Sequence, residues 1–323
     1  MLVFVELVLL LVVPIAIAKI YCILTHRNCN SKVCLVGKTA LVTGGYSGIG
    51  YQIVLALAQR GCRVIIADKS QDQNLLEKIY EETRSRNIVC KYVDLSSFKS
   101  VRELAYNVIK DEGKLDILIN NAGIGRNVSS VTEDGLDITM QVNYFSAFLL
   151  TRSLEDLLKK TGGRIIFTGS GSSHIHNFTI DRLKPDGSES FTFYTYFNSK
   201  LCLIMISDTF AERLKGYGVT SNAYHPGLVR TNIFRSGINL EGTINKGWFT
   251  IKFLEYMSFV VGKTAEEGAQ TAIHLACSNE VEGVTGGYFF ETKPTFRPKI
   301  VHDKKMCNDL WEATEEIVKQ KLS

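Results

Sequence analysis

From residue 37 onward the chain alternates two apolar patterns. Short apolar runs fall at 38–43, 62–67, 88–93, 115–119, 164–168, 219–225 and 288–290. Runs of that length, rich in β-branched and aliphatic residues, predict strands buried on both faces. Between them lie longer stretches at helical spacing: 51–59, 74–86, 101–112, 136–158, the segment after Phe193, and 264–276. After Phe193 the apolar stripe is carried by Leu201, Leu203, Ile204, Met205, Phe210 and Leu214. The 264–276 helix opens on Thr264-x-x-Glu267, a capping box. Strands alternating with helices predict an α/β fold, a doubly wound parallel sheet whose ligand lies beyond the strand carboxyl ends.

Two stretches break the alternation. Residues 1–24 are nearly all aliphatic, interrupted by Glu6, Pro14 and Lys19, and about 20 such residues span a bilayer core. Ala16-Ile-Ala18 resembles a signal-cleavage site. The segment opens, however, with Glu6 and no basic residue, whereas Lys19, Arg27, Lys32 and Lys38 follow its apolar part. These flanks predict an uncleaved N-terminal membrane anchor helix with the remainder facing the cytosol. Residues 25–36 then form a polar tether, 37–292 the α/β domain, and 293–323 a tail with an amphipathic helix at 307–321. The second break, 232–262, is apolar and irregular, with Trp248, Phe249, Phe253 and Phe259 among its residues. It reads either as a helical flap packed on the core or as a lipophilic substrate cover that also touches membrane.

Composition narrows the class of protein. A chain of 323 residues with 45% apolar content suits one large α/β domain with additions, or two small domains. A formal charge of +4 is too mild to argue for a nucleic-acid partner. The eight cysteines form no Cys-x-x-Cys and do not cluster with histidines, so reduced thiols and no metal site are expected. Asn127-Val-Ser129 and Asn177-Phe-Thr179 are glycosylation triplets, which a cytosolic domain would leave unmodified.

Candidate chemistry gathers at the strand ends. The first strand runs into Gly44-Gly-Tyr-Ser-Gly48-Ile-Gly50 and a helix. Such a turn lets backbone approach a pyrophosphate, which the helix amino end attracts. The second strand ends in Asp68, placed to accept hydrogen bonds from ribose hydroxyls and to repel a 2′-phosphate, although Lys69 beside it could neutralise that phosphate. Later strands end in Asp94, in Asn120-Asn-Ala-Gly123, in Ser170 and in Pro226-Gly227-Leu-Val-Arg-Thr231. Tyr196 and Lys200, four apart on one helix, share a face. An ammonium beside a phenol favours phenolate, so a lowered tyrosine pKa, suited to a general base, is expected. A second Tyr-x-x-x-Lys, Tyr106 and Lys110, follows no serine-bearing strand end and reads as a solvated helix face. Asn143 lies mid-helix beneath the Tyr196–Lys200 pair.

Taken together and in order, Thr43-Gly44-x-x-x-Gly48-Ile-Gly50, Asp94, Asn120-Asn-Ala-Gly123, Asn143, Ser170, Tyr196-x-x-Ser-Lys200 and Pro226-Gly227 resemble the short-chain dehydrogenase/reductase family over residues 36–292. The N-terminal segment, the long Ser170–Tyr196 loop and the 263–269 and 282–288 stretches resemble its membrane-anchored retinol dehydrogenase branch, while the Thr43-Gly44-Gly45 start and the Gly48-Ile-Gly-Tyr51 turn are similar to those of a polyprenol dehydrogenase relative. The resemblance implies a Rossmann-type domain and hydride transfer between a nicotinamide cofactor and a lipophilic alcohol, aldehyde or ketone, retinol and retinal first. A polyprenol, a steroid or another lipid alcohol stands as the alternative substrate. It further implies Tyr196 as acid/base, Lys200 as its supporting cation and holder of the nicotinamide ribose, Ser170 as orienter of the substrate oxygen, and Asn143 as link to a proton path. Cofactor contacts are implied at Thr43, Gly44, Ser47, Gly48, Ile49, Gly50, Asp68, Lys69, Asp94 and Leu95. They are implied also at Asn121, Ala122, Gly123, Pro226, Gly227, Val229 and Thr231, besides Tyr196 and Lys200. Two positions depart from the branch: Gly169 stands where serine is usual, and Asp68 where NADP-preferring members carry a neutral residue followed by arginine. NAD is therefore expected, with NADP the alternative. A membrane of the endoplasmic reticulum is the expected site, and a homo-oligomer is an open possibility. From another class, a nucleotide-binding scaffold without turnover would keep the fold but has no need of Asn143, Ser170, Tyr196 and Lys200 together.

Overall fold

The computed structural model describes residues 13, 17, 19–125, 131–184, 193–230, 256 and 258–322. The apolar runs became parallel strands: β1 (Thr39–Thr43), β2 (Arg63–Asp68), β3 (Ile88–Tyr92), β4 (Ile117–Asn120), β5 (Arg164–Thr168), β6 (Thr220–Tyr224) and β7 (Tyr288–Phe290); β3, expected to be buried on both faces, lies at the sheet edge with only Ile88 buried. A short β8 (Lys293–Pro294) adds antiparallel to β7. The order is β3-β2-β1-β4-β5-β6-β7-β8, so the strand sequence reverses direction between β1 and β4, where α/β sheets open a ligand crevice.

Helices cover both faces, and each face has its own core. On one side α1 (Gly48–Ala58), α2 (Gln73–Thr83) and α7 (Ala265–Cys277) bury Ile53, Leu57, Ile79, Ala272 and Ile273 against the sheet. On the other, α3 (Phe98–Asp111), α5 (Ser146–Lys159), α6 (Phe193–Leu214) and α8 (Lys304–Leu322) bury Phe98, Leu154, Phe210 and Trp311. The expected helix over 136–158 runs without a break from residue 138 to 159 but is not α-helical throughout. It begins as α4 (Ile138–Met140), passes through a π-helical turn (Gln141–Phe145) and only then becomes α5. Asp137 starts it by accepting the N–H groups of Thr139 and Met140, as an N-cap does.

The segment expected to be a tether is docked. Arg27 N–H donates to Glu291, Cys29 N–H to Gln270, and Ser31 Oγ to the Cys277 carbonyl. Before it, residues 19–25 are helical and leave Ile20, Tyr21, Ile23 and Leu24 exposed. Among the described residues no helix is long and apolar enough to cross a membrane. Most of the expected anchor, and residues 232–255 and 257 of the apolar 232–262 stretch, lie outside the described residues.

Candidate active site

The glycine turn between β1 and α1 is built for close backbone approach. Gly48 has φ +53°, and a Cβ on Gly50 would lie 2.1 Å from the Gly44 carbonyl oxygen and 2.6 Å from Asn121 Nδ2. No larger residue closes that turn. Ser47 at the N-cap makes no side-chain cap bond, and the first turn of α1 carries no acid. The helix's first N–H groups therefore keep their capacity to receive an anion. Thr43 ties this turn to β4: its Oγ1 accepts the N–H groups of Asn121 and Ala122, while Asn121 Nδ2 donates to the Thr43 carbonyl. Ile49 packs beside Gly268 of α7, and the Leu95 carbonyl accepts Ser146 Oγ.

At the end of β2, Asp68 accepts the Tyr46 N–H at 3.2 Å and the Ser70 N–H at 3.0 Å, which fixes the carboxylate beside the glycine turn. Lys69 turns away to Asp94, Nζ to Oδ2 2.6 Å. Burial opposes ionisation of Asp94, yet Lys69 and Ser96 outweigh it and hold the carboxyl below its ordinary value.

The four residues expected to be catalytic come together beyond β4 and β5. Ser170 follows β5, and its hydroxyl hydrogen-bonds the Tyr196 phenol as well as Ser172 Oγ at 2.8 Å. Lys200 is 2% exposed, donates to the Thr168 carbonyl at 2.9 Å, and has its Nζ 5.8 Å from the Tyr196 ring centre. A Cβ on Gly123 would lie 3.0 Å from that Nζ and 3.3 Å from Asn143 Oδ1, so the lysine and the asparagine meet across this glycine. Asn143 sits in the π-helical turn, a device that re-aims a side chain by one inserted residue. Its amide accepts the Ile124 N–H at 2.7 Å and donates to the Ile124 carbonyl and Ser199 Oγ.

The expected lowering of the tyrosine pKa is not what the geometry gives. Burial pushes the Tyr196 phenol up to about 12, with the Ser170 hydrogen bond opposing it. Burial likewise pushes the Lys200 ammonium down to about 8. The ammonium donates to the Thr168 carbonyl and lies 5.8 Å from the ring centre, and removal from water moves both groups away from their charged forms. Near neutral pH the pair is a protonated phenol above a charged lysine.

Beyond β6, Pro226, Gly227 (φ +82°) and Val229 form a loop at the same sheet edge, while Thr231 lies outside the described residues. The second Tyr-x-x-x-Lys is solvent-facing, Tyr106 being 66% exposed. Several site residues carried no sequence signal. Thr168 enters through its carbonyl, and Tyr288 through a hydroxyl that donates to the Ser170 carbonyl at 3.0 Å. His225 stacks on Phe290 with ring centres 4.2 Å apart, and burial followed by the Lys263 charge pushes it down to about 4. Ser199, beside Lys200 in the motif, could have been singled out: it donates to the Tyr196 carbonyl and receives Asn143.

The sequence profile of the short chain dehydrogenase family matches residues 38–239, and this chain belongs to that family. It is an NAD(P)-dependent short-chain alcohol dehydrogenase/reductase, and the glycine turn, the open helix end and Asp68 fit a dinucleotide. Among its relatives, human retinol dehydrogenase 13 (Homo sapiens) is 34% identical over 297 residues, covering 91% of this chain and 88% of that protein. Bovine retinol dehydrogenase 12 (Bos taurus) is 33% identical over 90% of this chain and 89% of the relative. The chain thus falls within the retinol dehydrogenase branch. Among solved structures, an uncharacterized protein from Mycobacterium paratuberculosis superposes with a TM-score of 0.70 at 22% identity, covering 91% of this chain and 98% of that one. A short chain dehydrogenase from Shigella flexneri, complexed with NADP, gives 0.61 at 22% identity over 81% of this chain and 100% of its own. These likenesses are of fold.

Proposed function

We propose that the chain interconverts a lipophilic alcohol and its carbonyl form with NAD, retinol and retinal being the first pair to test. The observation that carries this is the Ser170–Tyr196 hydrogen bond set over the buried Lys200 ammonium. A bound nicotinamide would supply or take the hydride. The chain's own residues handle the proton and the oxygen. In reduction Tyr196 gives its proton to the nascent alkoxide; in oxidation the phenol first releases its own proton and, as phenolate, then takes that of the hydroxyl. Lys200 offsets the negative charge left on the phenol, and Ser170 holds the substrate oxygen while charge develops there. Asn143, facing Lys200 across Gly123, lies on the route by which protons reach the ammonium.

Asp68 supports NAD over NADP. Its carboxylate is held beside the glycine turn, where it would repel a 2′-phosphate, and the cation that could have countered it, Lys69, is paired with Asp94. The substrate's apolar nature is supported by the retinol dehydrogenase relatives and by exposed Leu228, Tyr256 and Phe259. The aliphatic 1–24 segment anchors the chain in a membrane, the endoplasmic reticulum being our choice, with the domain in the cytosol.

The test is oxidation of all-trans-retinol by membranes carrying the chain, with NAD and NADP supplied separately. Retinal forms with NAD, and Tyr196→Phe lowers turnover by ~10²–10⁴-fold. Activity retained in that variant would overturn the role of Tyr196. Faster turnover with NADP would overturn that of Asp68, and turnover confined to a prenol or sterol would move the substrate within the same chemistry.

A further inference from the structure

Lys263 and Glu291 have no part in the proposed proton transfer, yet they form a buried ion pair, 6% and 7% exposed, directly behind the loop that follows β6. The lysine backbone brackets Val229: Lys263 N–H donates to the Leu228 carbonyl at 2.8 Å, and Arg230 N–H to the Lys263 carbonyl at 2.9 Å. Its ammonium lies 3.5 Å from where a Gly227 Cβ would be and 4.9 Å from the Phe290 ring centre. That ring stacks on His225, the residue before Pro226. Glu291 faces the other way as well. Its Oε2 accepts the Arg27 N–H at 2.9 Å, and His26 Nδ1 is 3.7 Å off. Glu291 and Thr292 have φ of +49° and +60°, a conformation that side-chain-bearing residues adopt only where the surroundings demand it. Here it turns the carboxylate inward between Lys263 and the N-terminal segment.

A buried ion pair is a poor stabiliser against an apolar alternative, and its attested use is to fix one arrangement of the chain. The arrangement fixed here joins segments far apart in sequence: 26–27, 263 and 290–292. We propose that Lys263 and Glu291 are positioning residues that hold the 226–230 loop in its cofactor-binding form, and that the segment leaving the expected anchor is part of the same strut. The inference rests on the reading of that loop as a cofactor contact. The chain just after the expected anchor thereby reaches that loop through one carboxylate.

The experiment uses the full-length chain in membranes, with Glu291→Gln, Lys263→Met, the double variant and Arg27→Pro. Each core single raises KM for NAD about tenfold while kcat at saturating NAD stays within about twofold. The double variant is no worse than the worse single, because the two act as one unit. Arg27→Pro deletes the N–H donor from an exposed position without touching the core, and raises KM about threefold. It keeps the question answerable if the core variants do not fold. Unchanged KM in Arg27→Pro and in the folded core variants, or additive effects of the pair, would overturn the strut. Amide exchange at 227–230 separates this from failure of the underlying reading. If NAD does not slow exchange there in the native chain, the loop is no cofactor contact and the proposal falls with it. If NAD slows it and the variants match the native chain, the strut alone is wrong.

Discussion

Lys200 and Tyr196 depart from their ordinary pKa values in opposite directions for one reason, removal from water. The phenol resists losing its proton up to about 12, and the lysine gives up its charge at about 8. In the reductive direction Tyr196 ends as phenolate, a state that needs the ammonium beneath it. The lysine's folded pKa lies below its usual value, so the cation is present below about 8 and lost as the pH rises through it. Carbonyl reduction at saturating cofactor is therefore flat on the acid side and falls above about pH 8. Lys200→Met leaves a residual rate lower by ~10²-fold, and that rate lacks the descending limb. A native profile with no break between neutrality and the tyrosine's own range would remove Lys200 from this role. Asp68 shows the complementary case, in which a residue's neighbours decide its meaning. The sequence set an acid against an adjacent lysine, and only the fold shows Lys69 turned to Asp94 and out of that competition.

Elements differ in how much of them can be read from the chain. The β1–turn–α1 unit is nearly all local: an apolar run, glycines at fixed offsets, then helical spacing, so its form and place were legible. Gly50 tests it. A Cβ there meets the Gly44 carbonyl oxygen at 2.1 Å, both partners being backbone-held, so the turn must open. Gly50→Ala should cost roughly 1–3 kcal/mol or more of stability and abolish the rise in melting temperature expected when NAD is added to the native chain. An undiminished rise would mean that the turn does not cradle the cofactor. The π-helical turn at Gln141–Phe145 was not legible, because one inserted residue barely disturbs a hydrophobic stripe, yet it aims Asn143. Nor was the docking of 26–31, whose bonds run to Gln270, Cys277 and Glu291 and are made largely by backbone atoms that any sequence possesses. Lys200's partner is hidden for the same reason: it is the carbonyl of Thr168.

At the scale of the whole molecule the sheet has two cores, and the C-terminal helix belongs to the one behind the catalytic helices. Residues 304–322 carry Trp311, fully buried, edge-on to Phe148 at 4.9 Å and to Phe210 at 4.8 Å. Arg213 lies over its ring at 4.3 Å. Phe148 belongs to α5 and Phe210 to α6, so one side chain of α8 clamps the helix that follows Asn143 to the helix that carries Tyr196 and Lys200. Beside the clamp, Thr314 exchanges a 2.6 Å hydrogen bond with Tyr144, the neighbour of Asn143. The amphipathic period of this helix was legible, but not what it covers. Trp311→Ala leaves a cavity that three helices cannot all close, costing about 3–5 kcal/mol and lowering the melting temperature by roughly 10 °C. The glycine turn lies across the sheet from this core, packed instead with α7. Cofactor affinity of the folded variant at low temperature should therefore change little, while kcat falls as α5 and α6 loosen against each other. Melting within about two degrees of native would show that α8 is dispensable to this core. A weakened cofactor affinity with kcat intact would show that its influence reaches the other face of the sheet first.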